Sequence, residues 1–114
     1  MSVYHVIESK SATGAGTVFQ LAPTEWSGVY TVHLVVEANT NLSDWVCEIE
    51  GGLINDTDTF CVLDQVDYTN DKNTDETAGM MHFEKEPVVY IRGNLSTLTG
   101  TGTVSVYLLV QPIL

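Results

Sequence analysis

The sequence predicts an all-β fold, a single antiparallel β-sandwich of about eight strands that spans residues 1–114. Apolar and polar residues alternate along most of the chain, which is the pattern of strands with one buried face. β-branched and aromatic residues are concentrated in these segments, and clusters of Gly, Asn, Asp, Thr and Ser separate them. We expect a jelly-roll-like arrangement of two sheets, and an immunoglobulin-like sandwich is the alternative.

The first half of the chain contains four predicted strands, at residues 3–8, 17–21, 29–38 and 45–50. The clearest is 29–38, in which every second residue from Tyr30 to Val36 is apolar. In 45–50 the same alternation places Trp45, Cys47 and Ile49 on one face. These two strands are therefore expected to supply one face each to the core.

The second half contains four more predicted strands, at residues 59–66, 80–84, 88–93 and 102–110. In the last of them every second residue from Val104 to Val110 is apolar, so these side chains are expected to share the core face. The segment 71–79 is rich in Asn, Thr and Asp and is predicted to be a loop.

Two of the strands are apolar on both faces for part of their length. Val29 and Val35 extend the apolar set of the third strand, and Tyr107 and Leu109 extend that of the last. A covering loop is one explanation, and a contact between subunits is the other, because exposed apolar surface marks interfaces. We therefore predict these four residues as candidate contacts of a homo-oligomer.

The composition is strongly acidic. Fifteen Asp and Glu residues oppose four Lys and Arg residues, and the formal net charge at pH 7 is −11. Such a surface repels nucleic-acid phosphates and anionic lipid headgroups, so neither nucleic acid nor a membrane is expected as a partner. The charge favours solubility, and a salty medium or a basic partner surface would also explain it.

The sequence contains no segment that resembles a secretion signal or a membrane span. Residues 1–5 have no basic stretch followed by an apolar run. The most apolar segment, 104–114, is too short to cross a bilayer and contains Pro112. We expect the chain to fold in a cytoplasm.

The two cysteines, Cys47 and Cys61, have a suggestive spacing. A hairpin centred near Ile54 would place them opposite each other on neighbouring strands, where a cross-strand disulfide could form. A cytoplasmic origin favours the alternative, in which both are free thiols buried as small apolar side chains.

No catalytic, cofactor or metal site is predicted. The run from Asp71 to Asp75 has oxygen ligands at alternating positions, like the start of a calcium loop, but Glu76 and His82 stand where that loop needs Gly and Glu. Two cysteines and three scattered histidines do not make a four-ligand zinc site. No histidine has a nucleophile and an orienting acid near it in the sequence, so the chain is not expected to be an enzyme.

Three aromatic residues suggest a sugar-stacking platform: Trp26, Trp45 and Tyr68. Trp26 lies in a polar turn at 25–28 and is a candidate contact for a partner or a glycan. For Trp45 the alternative is a core position between the sheets.

The segment 87–108 carries a family resemblance. A Tyr90-Ile91-Arg92 strand leads through a Gly/Thr-rich turn into Gly-Thr-Val-Ser-Val at 102–106. This resembles the closing hairpin of small β-sandwich structural proteins of tailed bacteriophages. The segment 16–21, Gly-Thr-Val-Phe-Gln-Leu, and the long strand from Val29 are similar to the front half of those domains.

The resemblance is strongest to head decoration, or cement, proteins. It implies a virion structural protein that binds the major capsid protein, typically as a trimer, and stabilises the head. It also implies a location on the capsid surface after synthesis in the host cell cytoplasm. The alternative is a carbohydrate- or receptor-binding module of a phage tail or fibre, for which Trp26 is the candidate contact.

Overall fold

The computed structural model of the chain describes residues 2–27, 29–37, 42–67, 78–84 and 86–110. Side chains are described within 3–27, 29–31, 42–67 and 86–110. Two short 3-10 turns, Pro23–Glu25 and Thr57–Thr59, connect strands. In chain order the strands are β1 (Ser2–Lys10), β2 (Gly14–Ala15), β3 (Phe19–Gln20), β4 (Val29–Glu37), β5 (Asp44–Gly52), β6 (Cys61–Asp67), β7 (Ala78–Glu84), β8 (Tyr90–Thr99) and β9 (Thr103–Val110).

The strands form two antiparallel sheets. The first has the order β1-β9-β4-β7, and the second has the order β2-β8-β5-β6 with β3 also paired to β8. Because β2 and β3 both lie along β8, they are two parts of one interrupted strand. The strand positions then follow the jelly-roll order, so the predicted sandwich is confirmed. The immunoglobulin-like alternative would pair the first strand with the second, whereas here β1 pairs with β9.

The core lies between the two sheets and follows the predicted alternation. Every second residue of β5 from Trp45 to Ile49 is fully buried, and so is every second residue of β9 from Val104 to Val110. Tyr30 of β4 is also fully buried. Burial, together with the nearby Glu86 carboxylate, raises the pKa of Tyr30 to about 12, so its phenol stays neutral at ordinary pH.

The two sheets approach each other closely where β1 passes β8. A β-bulge between His5 and Ile7 interrupts the β1–β9 ladder, and the consecutive residues Val6 and Ile7 are both buried. A Cβ at Gly16 would lie 2.0 Å from the Val6 carbonyl oxygen, and a Cβ at Gly93 would lie 2.8 Å from the same atom. Glycine is required at both positions because a larger residue would overlap this backbone.

The same approach explains why the prediction of one strand at 17–21 is wrong. The chain instead forms two short strands, β2 and β3, on either side of Gly16. The Gly16 N–H donates to the Gly93 carbonyl at 2.8 Å, so this residue stays bound to β8 between the two strands. The alternation of side chains carries no information about such a backbone contact.

The resemblance of the segment 87–108 to a closing hairpin is not matched by the structure. β8 belongs to the second sheet and β9 to the first, so the two strands do not pair. Gly100 and Gly102 have φ values of 103° and 149°, which L-residues rarely adopt, in the turn where the chain crosses between the sheets. The segment 87–108 therefore runs from one layer of the sandwich to the other.

The predicted register of the β5–β6 hairpin is wrong as well. Cys61 pairs with Gly51, and Cys47 pairs with Val66, so the two cysteines are not opposite each other. A register shift at Ile49 and the 3-10 turn before β6 displace the strand from a symmetric hairpin. Both cysteines are free. Cys47 is buried as predicted, whereas Cys61 is exposed.

We expect Gly16→Ala to lower the free energy of unfolding by about 2 kcal/mol, because the added methyl group overlaps the Val6 carbonyl and forces the backbone to move. Urea or thermal unfolding measures the loss. Gly52→Ala is the control, since its Cβ would lie 3.1 Å from the Phe60 ring, a side chain that can shift. Equal losses at the two positions would contradict the required close approach.

Thiol reactivity tests the register of β5 and β6. Burial raises the pKa of Cys47 to about 12, so this thiol is both covered and protonated near neutral pH. We expect a thiol reagent to modify only Cys61 in the folded chain and both cysteines after unfolding. Cys61→Ser should abolish the fast reaction, and rapid modification of Cys47 in the folded chain would contradict the structure.

Candidate functional site

The first sheet presents an apolar surface on the side away from the core. Alternate residues of β9 point into the core, so Tyr107 and Leu109 lie on the opposite side. Both are half-buried, as is Val29 of β4. The ladder sets Leu109 opposite Thr31, which is also half-buried. We call the surface made by Val29, Thr31, Tyr107 and Leu109 the outer face.

Three of the four predicted oligomer contacts therefore lie on one surface. The fourth, Val35, pairs through its backbone with Ser105 of β9 and Ala78 of β7, and its side chain is outside the described residues. Ser105 is fully buried, and its hydroxyl accepts a hydrogen bond from the Ser9 N–H at 2.8 Å. The outward position beside Val35 on β9 is therefore occupied by a buried polar side chain that is bonded to β1. Contact of the outer face with a second copy stays a prediction.

His5 lies at the border of the outer face. Its ring is 4.8 Å from the Tyr107 ring in an edge-to-face arrangement, and its Nδ1 is 3.4 Å from the Glu8 carboxylate. The edge-to-face contact with the His5 ring favours one orientation of the Tyr107 ring. His33 and His82 lie in paired positions of β4 and β7, and their side chains are outside the described residues.

Glu25 anchors the turn between β3 and β4, a role that the sequence did not predict. Its side chain is 4% exposed, and Oε1 accepts hydrogen bonds from the Tyr4 hydroxyl at 2.5 Å and the Ala22 N–H at 3.0 Å. Oε2 is buried and has no hydrogen-bond partner among the described residues. Pro23 and Glu25 are the sequence feature that could have indicated this role. Pro is favoured in the first turn of a helix, and a Glu there can accept a hydrogen bond from the backbone N–H of the residue before the helix.

Trp26, the predicted partner or glycan contact, follows this turn and is 37% exposed. Its indole N–H donates to the Leu21 carbonyl at 3.1 Å, which fixes the ring against the turn. The predicted platform is not formed with Trp45, which is fully buried in the core. Tyr68 lies outside the described residues. Trp26 is therefore a single exposed aromatic ring, and its function stays a prediction.

The described residues contain no group of three or more His, Cys, Asp or Glu side chains that could hold a metal ion. The calcium-like run from Asp71 to Asp75 lies outside them. Within the same part of the chain, no helix is long and apolar enough to cross a membrane.

Comparison with known proteins identifies a structural neighbour. No protein-family profile matches the chain, and no curated protein matches it. The crystal structure of the SPBc2 prophage-derived protein YomS superimposes with a TM-score of 0.52 at 10% sequence identity. The match covers 94% of this chain and 90% of that one. At this identity the similarity establishes a shared fold: the chain is similar to a prophage protein in its whole β-sandwich.

Proposed function

We propose that this chain is a virion structural protein that decorates a capsid, binding the major capsid protein and stabilising the head. The outer face is the observation that supports the proposal. Val29, Tyr107 and Leu109 leave apolar surface on the side of the sheet that the core does not use. On a chain with a net charge of −11, such a surface is suited to a protein contact.

Self-association is the use proposed for the outer face, with a trimer favoured. Copies of the chain repel each other by charge, so their association has to bury apolar area to be stable. Salt screens this repulsion over a Debye length of about 10 Å at 0.1 M. Association through the outer face is therefore expected to strengthen as the salt concentration rises.

Binding to a shell is the second part of the proposal. An acidic protein is complementary to a basic surface, and an oligomer that makes several weak contacts at once binds far more tightly than one copy. The structural similarity to a prophage-derived protein is consistent with a phage setting. The proposed location is the capsid surface.

A carbohydrate- or receptor-binding module of a phage tail is the second candidate. The exposed fraction of Trp26 favours it, because an anchored indole ring offers a face on which a sugar can stack. The buried Trp45 weakens it, since a platform of several rings is not formed within the described residues.

We expect the purified chain to be a trimer by size-exclusion chromatography with light scattering. Leu109→Ser should reduce the mass toward that of a monomer, because it removes apolar area from the proposed contact. Ile54→Ser is the control: Ile54 is 59% exposed and lies on the β5–β6 connection, away from the outer face. A wild-type monomer at every salt concentration would contradict self-association.

Decoration is tested on particles made from the genome that encodes the chain, with its gene deleted. We expect purified protein to rebind these particles saturably and to raise their resistance to heat. Absence of binding would contradict the decoration proposal. Binding of the chain to glycans, abolished by Trp26→Ala, would instead support the second candidate.

A further inference from the structure

A groove of about 450 Å³ lies on the second sheet, between the β5–β6 hairpin and the segment that precedes β8. Leu53 and Val62 line it and are 70% and 54% exposed. Leu63 and Val88, which also line it, are buried. The groove is thus an apolar recess whose borders face solvent, separate from the outer face of the first sheet. We call it the β6 groove.

Among the described residues, the charge around the β6 groove is negative. Glu86 is the one charged residue among the described residues that line it. Asp56 and Asp58 lie in the turn that leads into β6. On β8, the Arg92 Nε–H donates to the carboxylate of Glu50 on β5 at 2.7 Å, so this cation is already paired within the chain. A basic ligand is therefore complementary to the groove.

The β6 strand forms one wall of the groove and one edge of the second sheet. Among the described residues, β6 pairs with β5, and the Gln65 N–H in the middle of the strand donates to the Asp64 carboxylate at 2.8 Å. The groove lies against the start of the strand. Cys61 and Val62, at the start of β6, are both exposed. Such an edge can accept an extended segment as an additional strand, with side-chain pockets supplying specificity.

We propose that the β6 groove binds an extended segment of the protein onto which this chain docks, in which apolar residues alternate with Lys or Arg. The proposal rests on the proposed function and names its contact surface. An apolar side chain of the segment packs between Leu53 and Val62, and a neighbouring cation pairs with Glu86. A second copy of this chain is disfavoured as occupant because it brings a further net charge of −11.

A synthetic peptide of alternating Val and Lys tests, on the isolated chain, whether the β6 groove prefers a segment of alternating apolar and basic residues. The readout is protection of the exposed Cys61 thiol from a thiol reagent, because this thiol lines the groove. We expect the peptide to slow the reaction at least tenfold at saturation. A matched peptide of Val and Glu, and one of Ser and Lys, should give no protection. Equal protection by the acidic peptide, or none by the basic one, would overturn the proposal.

Two variants test which side chains of the groove stabilise the bound peptide. Val62→Ser should weaken the Val/Lys peptide about tenfold through lost apolar burial, and Glu86→Gln should weaken it about threefold and reduce its salt dependence. Val3→Ser is the matched control, because Val3 is 58% exposed and lies on the first sheet. If Val62→Ser binds the peptide as the wild type does, the groove is not the site. Protection of Cys61 by concentrated protein alone would identify a second copy as occupant and overturn the proposal.

Particles that lack the chain separate this inference from the proposed function. We expect wild-type protein to bind them and Val62→Ser to bind at least tenfold more weakly. If both bind equally, the groove proposal fails and the decoration function stands. If neither binds while the peptide results hold, the decoration function fails and the groove's preference for a basic apolar strand stands.

Discussion

The backbone contact between the two sheets at Val6 is the constraint on which the rest of the structure depends. Packed sheets usually lie about 10 Å apart and touch through side chains. Here the Val6 carbonyl oxygen lies so close to Gly16 and Gly93 that neither position has room for a Cβ. The bulge in β1 makes this approach possible, because it takes Val6 out of the ladder with β9. The contact joins β1 of the first sheet to β8 of the second, while the ladder on either side of the bulge keeps β1 paired with β9.

Closure of the sandwich determines which apolar surface remains for function. The core takes Tyr30, Trp45 and the inward residues of β9, and apolar surface is left on the outer face and in the β6 groove. Since these two surfaces belong to different sheets, self-association and docking can occur at the same time. The net charge of −11 acts on both: it opposes contact between copies unless apolar area is buried, and it favours a basic partner at the groove. This division of surfaces is the physical basis of the proposed decoration function.

The sequence predicted the parts of the fold that depend on side-chain alternation. β4, β5 and β9 follow from it, and so do the core faces of β5 and β9 and the burial of Tyr30 in β4. It did not predict features that depend on backbone contacts between distant residues: the interrupted strand at Gly16, the crossing between β8 and β9, and the register of Cys47 and Cys61. The outer-face residues Val29, Tyr107 and Leu109 were found as surplus apolar positions. Glu25 and the β6 groove were missed, because a buried carboxylate and a recess between separate segments appear only after the chain has folded.

The most direct test of the assembly claim is a cryo-EM reconstruction of particles that carry the chain. We predict that copies contact each other through the outer face around Tyr107 and Leu109. We also predict that the β6 groove faces the shell, with an extended basic segment of the shell protein running along β6. A reconstruction in which the outer face and the groove are both open to solvent, while the chain attaches through the turn at Trp26, would contradict this assignment of surfaces.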